Sequence, residues 1–176
     1  SVAISKARRN LLGRMVTNFE EKDLGIEKYP PELSIYQSVL LEHGLHKEVN
    51  GELGFVSPPA ESPLGKIWDF FNEQLEGTLG NAINLSDLFD EIAKPPFGIR
   101  RGLAPVLFFS YYLTKRDSVF LYIDGSFIPA IREHEINMLL TQPKYISVQK
   151  MSTDSGHDGI LSVYHKGLEM KASVKP

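Results

Sequence analysis

The stretch that decides the fold is AKPPFGIRRGLAPVLFF, residues 93–109. Its Pro95-Pro96 pair stops a helix, because proline lacks a backbone N–H and restricts the residue before it. Gly98 permits a turn, and the run from 101 to 115 is apolar on nearly every side. A helix of that kind is typical of the centre of a domain. We predict a helix-turn-helix corner here, with Arg100 and Arg101 at the mouth of the central helix.

Composition places the chain among ordinary globular proteins. It has 176 residues, of which 42% are hydrophobic and 23% charged, and a chain of this length can bury a core without cross-links. The absence of cysteine excludes disulfides and thiolate zinc sites and fits a reducing, cytoplasmic location. A net charge of −3 argues against non-specific nucleic-acid binding by the whole chain, but it leaves room for a local basic patch.

The two ends of the sequence lead to further expectations. The longest apolar stretch, Leu103 to Leu113, is about half a membrane span. The first segment is amphipathic rather than apolar, so we expect no signal peptide. Because the sequence opens at Ser1 rather than at methionine, we expect a fragment of a longer protein or a processed chain.

Apolar residues at helical spacing predict five further helices. They span residues 4–20, a short segment around 36–40, 63–77, 86–93 and 132–141, with Pro63 and Ser86 as their start signals in two cases. In the first helix the residues predicted to face the core are Ile4, Leu11, Leu12, Met15 and Phe19. Arg8 projects onto the same side, where either its stem packs on the core or its charge meets a partner's carboxylate or a phosphate.

Two hairpins are predicted from dipeptides that suit a type I′ turn. Asn50-Gly51 separates the apolar pieces 45–49 and 53–56, and Asp124-Gly125 separates 119–123 and 127–128. Residues 145–151 alternate like a strand, residues 77–84 resemble a loop, and a weak apolar piece at 160–164 precedes a polar tail.

The order of these elements suggests an α+β, mainly helical fold with tandem winged-helix-like units. Each middle region has a Pro-Pro pair, a helix and a hairpin, which is the pattern of a helix-turn-helix with a two-stranded wing. Divergent duplication and coincidence both explain the likeness. We expect a first unit over residues 1–60, a connecting helix and loop over 61–84, a second unit over 85–151 and a tail over 152–176.

Basic residues near the corner are the candidate nucleic-acid contacts. Arg100 and Arg101 at a helix N-terminus suit a phosphate, although the carboxylates of the preceding helix offer a simple alternative partner. The helix body itself presents no polar face to DNA bases. Further candidates are Lys94, Lys115 and Arg116 in the same unit, and Lys6, Arg8, Arg9 and Arg14 in the first helix. The alternative is that these residues only form a solvated surface.

Enzyme signatures are missing from the sequence. His43 and His46 lack further metal ligands, REHE at 132–135 lacks the second histidine of a zincin, and STDSGHDG at 152–159 is a polar loop. GNAINLSD at 80–87 lacks the glycine-lysine pair of a phosphate-binding loop. We therefore expect no catalysis, no metal and no cofactor.

KPPFGIRRGLAPVLF, DSVFLYIDGSFIP and HEINMLLTQPKYISV together resemble a segment of very large prokaryotic P-loop ATPases of phage-defence and DNA-processing systems such as BREX. The resemblance covers roughly residues 85–150. It implies a non-catalytic accessory portion of such a protein, in which Pro95, Pro96 and Gly98 shape the turn and Arg101 is a candidate contact.

These observations lead to two expectations of function. The first is a winged-helix-like fragment that binds duplex DNA or positions an ATPase on DNA, as a resemblance to phage-defence ATPases implies. The second is a protein-interaction or oligomerisation module without nucleic-acid contact, docked on the rest of a parent chain, on another protein or on another copy.

Overall fold

The computed structural model describes residues 1–76 and 81–151. Within them the chain forms an α+β fold with two small antiparallel sheets. The helices are α1 Val2–Thr17, α2 Pro31–Ile35, α3 Pro63–Glu76, α4 Leu85–Ala93, α5 Ala104–Thr114 and α6 Glu133–Thr141. The strands are β1 His46–Val49, β2 Glu52–Phe55, β3 Ile83–Asn84, β4 Val119–Ile123, β5 Ser126–Phe127 and β6 Ile146–Lys150.

Helix α5 is the centre of the fold, as the sequence predicts. Every residue from 104 to 111 is buried, and Pro105 sits in the first turn, where its missing N–H is tolerated. The corner before it is closed by backbone hydrogen bonds: Gly98 N donates to Lys94 O, and Ile99 N donates to Ile92 O. Gly98 has a φ of 62°, so the turn requires the left-handed region that glycine adopts freely.

Helix α5 begins later than predicted, at Ala104 rather than near Arg101. Residues 101–103 form a turn in which Leu103 N and Ala104 N both donate to Arg100 O. The two arginines consequently lie in the turn before the helix and not in its first turn. The regular helix begins only at Ala104 because the turn over residues 100–104 already provides acceptors for these N–H groups.

Helix α1 ends at Thr17 rather than at residue 20, and its first residues are exposed. Leu11, Leu12 and Met15 are fully buried, as predicted, but Ile4 is 56% exposed. Its helical phase is correct. The prediction that it packs inward is wrong, because Ile4 lines an open depression beside Ile35 instead of lying under a covering element.

The cap of α4 also differs from expectation. Asn84 is the N-cap residue and its side-chain oxygen accepts from Ser86 N at 2.9 Å. The helix therefore starts two residues earlier than a Ser86 cap implies. Asn84 also donates to Lys144 O through its amide nitrogen, so the cap residue links α4 to the segment before β6.

Both predicted hairpins are present and both turn on two residues with positive φ. Asn50 and Gly51 have φ of 54° and 85°, and Asp124 and Gly125 have φ of 48° and 81°. These values are those of type I′ turns, whose twist matches the twist of the strands. The turn residues therefore set the register of β1 against β2 and of β4 against β5.

The hairpins belong to different sheets. Strands β1 and β2 form a two-stranded sheet, while the second sheet has the order β3-β6-β4-β5. Strand β6 lies in the middle, with Leu121 opposite Val148 on one side and Val148 opposite Ile83 on the other. The predicted loop over 77–84 is wrong at Ile83 and Asn84, which form β3, since two residues are too few for a period to be recognised.

One cluster of buried side chains runs through the described chain. It includes residues of all six helices, together with β4 and β6. Between α3 and α5 the cluster is aromatic: the ring centroids of Phe71 and Tyr111 are 5.1 Å apart and those of Trp68 and Tyr111 are 5.9 Å apart. The stripe at helical spacing in 63–77 is therefore core, and the proposed division into two units stays a prediction.

Several predictions fall outside the described residues. They concern Gly77 as the end of α3, the loop residues 77–80, the STDSGHDG segment, the apolar piece at 160–164 and the polar tail. Among the residues that are described, every helix is too short or too polar to span a lipid bilayer.

Ser110 offers a test of the packing around α5. Its side chain is fully buried and its hydroxyl has no hydrogen-bond partner. Removal of an unsatisfied polar group costs little, so we expect Ser110→Ala to keep or raise the free energy of unfolding, by up to about 1 kcal/mol. Leu107→Ala on the same helix leaves a cavity and is expected to lower it by about 2–5 kcal/mol. Urea unfolding checks both; a large loss in Ser110→Ala would show that the hydroxyl is bonded.

Candidate nucleic-acid interface

The corner arginines are exposed and one of them is paired. Arg101 donates to Asp90 at 3.3 Å, with 87% of the arginine side chain exposed. Asp90 is one of the carboxylates on the preceding helix that were expected as an alternative to a phosphate. An exposed pair of this geometry contributes little to stability and is screened by salt. Arg100 is also exposed and has no ion pair in the described part of the chain.

The other basic residues predicted for this unit lie apart from one another. Lys94 forms an ion pair with Glu91 at 2.7 Å, and the hydrogen bond and charge of that glutamate raise the pKa of Lys94. Lys115 and Arg116 follow the far end of α5, roughly 16 Å along the helix from the arginine turn. The buried length of α5 separates Lys115 and Arg116 from the corner.

Arg8 reaches the corner from α1. Its Nη1 donates to the carbonyl of Gly102 at 3.2 Å, so this arginine ties α1 to the turn before α5. The Nε atom is enclosed and has no hydrogen-bond partner. The stem packs against the protein, in line with one of the two readings of this residue, and its charge meets a neutral carbonyl rather than a carboxylate within the described chain.

A depression lies elsewhere, between α1 and α6, and has a volume of about 1180 Å³. We call it the cationic groove. Four permanently charged cations line it, three from α1 and one from the start of α6: Lys6, Arg9, Arg14 and Arg132. His134 lies beside them. Two carboxylates, Glu32 and Glu133, also line the groove, so positive charge predominates.

Helical spacing explains why α1 presents this face. Lys6, Arg9 and Gly13 recur at intervals of three and four residues, which places them on one side of the helix. The opposite side carries the buried Leu11, Leu12 and Met15. The cations therefore face outward as a row because the core claims the other side of the helix.

Helix α6 contributes its N-terminal end. Arg132 is the N-cap residue and makes no side-chain cap, so it does not satisfy the first N–H groups of the helix. The partial positive charge of a helix N-terminus adds to the charge of the arginines across the groove. The first-turn carboxylates Glu133 and Glu135 oppose this effect in part.

Few of the groove cations are engaged by the protein itself. Arg14 donates to the Gly25 carbonyl at 2.9 Å, and Glu32 accepts from Asn10 at 3.3 Å. Lys6, Arg9 and Arg132 form no ion pair in the described part of the chain. Their charges are free to contact an anion.

The uncharged lining suits phosphate oxygens rather than bases. Asn10 and Asn137 supply side-chain amides, and His134 is the one aromatic ring among the described lining residues. Proteins that hold single strands add aromatic platforms on which bases stack. Amides and cations without such platforms are typical of contacts to a duplex backbone.

Part of this groove is predictable from the sequence. Lys6, Arg9 and Arg14 are among the basic residues predicted for the first helix, but Arg132 and His134 are not among the predicted contacts. The spacing of the α1 cations was a usable signal. The contribution of α6 was not, because nothing in the local sequence shows that α6 packs beside α1.

His46 is a buried structural group. His46 is 1% exposed; Tyr36 Oη donates to its Nδ1 at 2.8 Å, and its Nε2 donates to Phe19 O at 2.7 Å. A carbonyl only accepts, so the hydrogen resides on Nε2 and both nitrogens are occupied. Within 1–76 and 81–151 no cluster of three or more suitable side chains could hold a metal ion.

The buried hydrogen bond between Tyr36 and His46 leads to a prediction about stability. Tyr36→Phe leaves Nδ1 of His46 enclosed and without a donor, so we expect the free energy of unfolding at neutral pH to fall by about 1–3 kcal/mol. Tyr29→Phe is the matched control, because Tyr29 is 94% exposed and its hydroxyl contacts solvent. Urea unfolding of both variants measures the difference; equal stabilities would show that the hydrogen bond is dispensable.

The same tyrosine predicts an alkaline limit of stability. Burial, with a smaller effect of the Asp23 carboxylate, raises the pKa of Tyr36 to about 12. Burial also raises the pKa of Tyr111. An unfolded tyrosine loses its proton near pH 10, so the native state binds more protons above that pH and becomes less stable as the pH rises towards 12. We expect urea midpoints to fall over this window, and to fall less steeply in Tyr36→Phe than in Tyr29→Phe.

Comparisons of the chain with protein-family models, with curated proteins and with solved structures give no match.

Proposed function

We propose that this protein is a non-catalytic module that binds the backbone of duplex DNA through the cationic groove. The observation that carries the proposal is the convergence of Lys6, Arg9, Arg14 and Arg132 on one depression of about 1180 Å³. Neutralising phosphates releases counterions from DNA, which is the main source of non-specific affinity. A local patch of this kind is compatible with a net charge of −3, because the potential near a surface depends on the nearest charges.

The burial of α5 supports contact with the backbone rather than with bases. A recognition helix inserts polar side chains into the major groove. Residues 104–111 of α5 are all buried, so this helix has no face to insert. The groove between α1 and α6 would follow a phosphate strand instead, and its binding would depend little on DNA sequence.

The arrangement from α3 onward favours the winged-helix-like part of the proposal. The order along the chain is α3, β3, α4, α5, β4 and then β6. In the sheet, β6 lies between β3 and β4 and is antiparallel to both. The β4–β5 hairpin and α6 are inserted before β6 and bring Arg132 to the cationic groove. In a longer protein of the phage-defence ATPase kind suggested by the resemblance, such a module would hold the parent chain on DNA.

Binding of the 176-residue chain to a labelled duplex, measured by fluorescence anisotropy at two salt concentrations, tests the proposal. We expect measurable affinity at low salt, with a logarithmic salt slope of roughly −3 to −4 if each of the four cations contacts one phosphate. Lys6→Glu combined with Arg9→Glu should lower the low-salt affinity at least tenfold, because two contacts become repulsive.

Arg100→Glu combined with Arg101→Glu is the matched control, since it changes the net charge equally at the corner. A control that binds nearly as well as the parent chain supports the groove. If this control loses binding while the groove variant keeps it, the interface is the corner and the groove proposal is wrong. A parent chain without affinity at low salt contradicts DNA binding altogether.

A second candidate function is protein association, and a separate observation favours it. On the other side of α1 lies a smaller groove of about 410 Å³ with mainly apolar walls. Exposed apolar surface beside such a groove is typical of sites where proteins dock. The two functions use different faces of α1 and are compatible in one molecule.

A further inference from the structure

Helix α1 is the wall between two unlike surfaces. Lys6 and Arg9 face the cationic groove, while Ile4 and Arg8 face the smaller one, which we call the apolar groove. Its apolar walls come from α1, α2 with its π-helical continuation Tyr36–Leu41, and the start of α5: Ile4, Ile35, Val39, Leu103 and Val106. Arg8 is the one charged side chain among the lining residues described.

The apolar surface continues beyond the groove. Ile4 is 56% exposed, and Leu41, two residues after Val39, is 46% exposed. Complete burial of a side chain of this size removes apolar area from water and strengthens binding by roughly tenfold or more. These residues therefore lose free energy by remaining exposed, and they are available to a partner.

The charge of Arg8 is incompletely matched. Its Nη1 donates to the Gly102 carbonyl and its Nε is enclosed without a partner. Guanidinium groups in apolar surroundings are usually met by a carboxylate. The described chain brings none to Arg8. A partner that fits the apolar groove should therefore supply apolar side chains and one negative charge.

The chain carries such a combination next to the groove. Glu42 is exposed and lies one helical turn beyond Ser38 and Val39, which line the wall. It forms no ion pair in the described part of the chain. A two-fold interface must be self-complementary, since the same patch faces itself. A patch with Arg8 at one place, Glu42 at another and apolar residues between them meets that requirement.

We propose that a second copy of this chain covers the apolar groove in a two-fold dimer. Arg8 of each copy meets Glu42 of the other, and Ile4 and Leu41 are buried between them. The proposal rests on the second candidate function alone. It leaves the cationic groove open, because Lys6 and Arg9 lie on the opposite face of α1.

Sedimentation velocity of the 176-residue chain over a hundredfold concentration range tests the proposal. We expect a reversible monomer–dimer equilibrium. Glu42→Arg and Ile4→Asp both change exposed positions, so the fold should survive, and each should raise the dissociation constant at least tenfold. Glu48→Arg, at an exposed position of β1, is the matched control for the change of net charge and should dimerise like the parent chain.

Exchanging the charges of Arg8 and Glu42 tests whether these two residues pair across the dimer. Arg8→Glu alone should dissociate the dimer, and the double variant Arg8→Glu, Glu42→Arg should restore it. Circular dichroism confirms that each variant is folded. A parent chain that is monomeric throughout, or a dimer that none of the single variants weakens, overturns the proposal. A folded double variant that stays monomeric overturns the Arg8–Glu42 contact. Duplex-DNA binding by these variants is measured separately, so failure of the dimer is distinguishable from failure of DNA binding.

Discussion

The enclosure of α5 is the constraint on which the rest of the structure depends. A helix with eight consecutive buried residues has no side to leave in water, so other elements must surround it. Helices α1 and α4 and strand β2 pack against it, and α3 adds the aromatic contacts of Phe71 and Trp68. Because the side chains of α5 are buried in this way, any contact with a ligand has to come from the elements that enclose it.

Helix α1 shows how one enclosing element takes on several roles. Its buried side completes the cover of α5 and, near the N-terminal end, gives Ile4 and Arg8 to the apolar groove, while its outward side gives cations to a groove shared with α6. Helical geometry makes this possible, because residues three and four apart share a face. DNA binding and dimerisation, as proposed, thus use two sides of one helix whose position is held by the core.

Polar groups inside the protein hold the neighbouring segments in place. His46, at the start of β1, is bonded to Tyr36 on the segment after α2 and to the carbonyl of Phe19 after α1. Arg8 joins α1 to the turn before α5 in a similar way. Buried hydrogen bonds of this kind favour one arrangement over others, since any displacement leaves a desolvated group without a partner. The walls of both grooves are fixed partly by these contacts.

The sequence by itself determined the elements whose signals are local. Asn50-Gly51 and Asp124-Gly125 specify hairpins because their positive φ values suit one turn type, and the apolar run after Pro95-Pro96 specifies a buried helix. Only the tertiary structure decided which elements meet. It placed β6 between β3 and β4, gave Asp90 to Arg101, and set Arg132 of α6 across from Arg9 of α1. Arg9 was predictable as a basic contact, but its partners across the groove were not, because they lie more than 120 residues away in the chain and only packing brings them together.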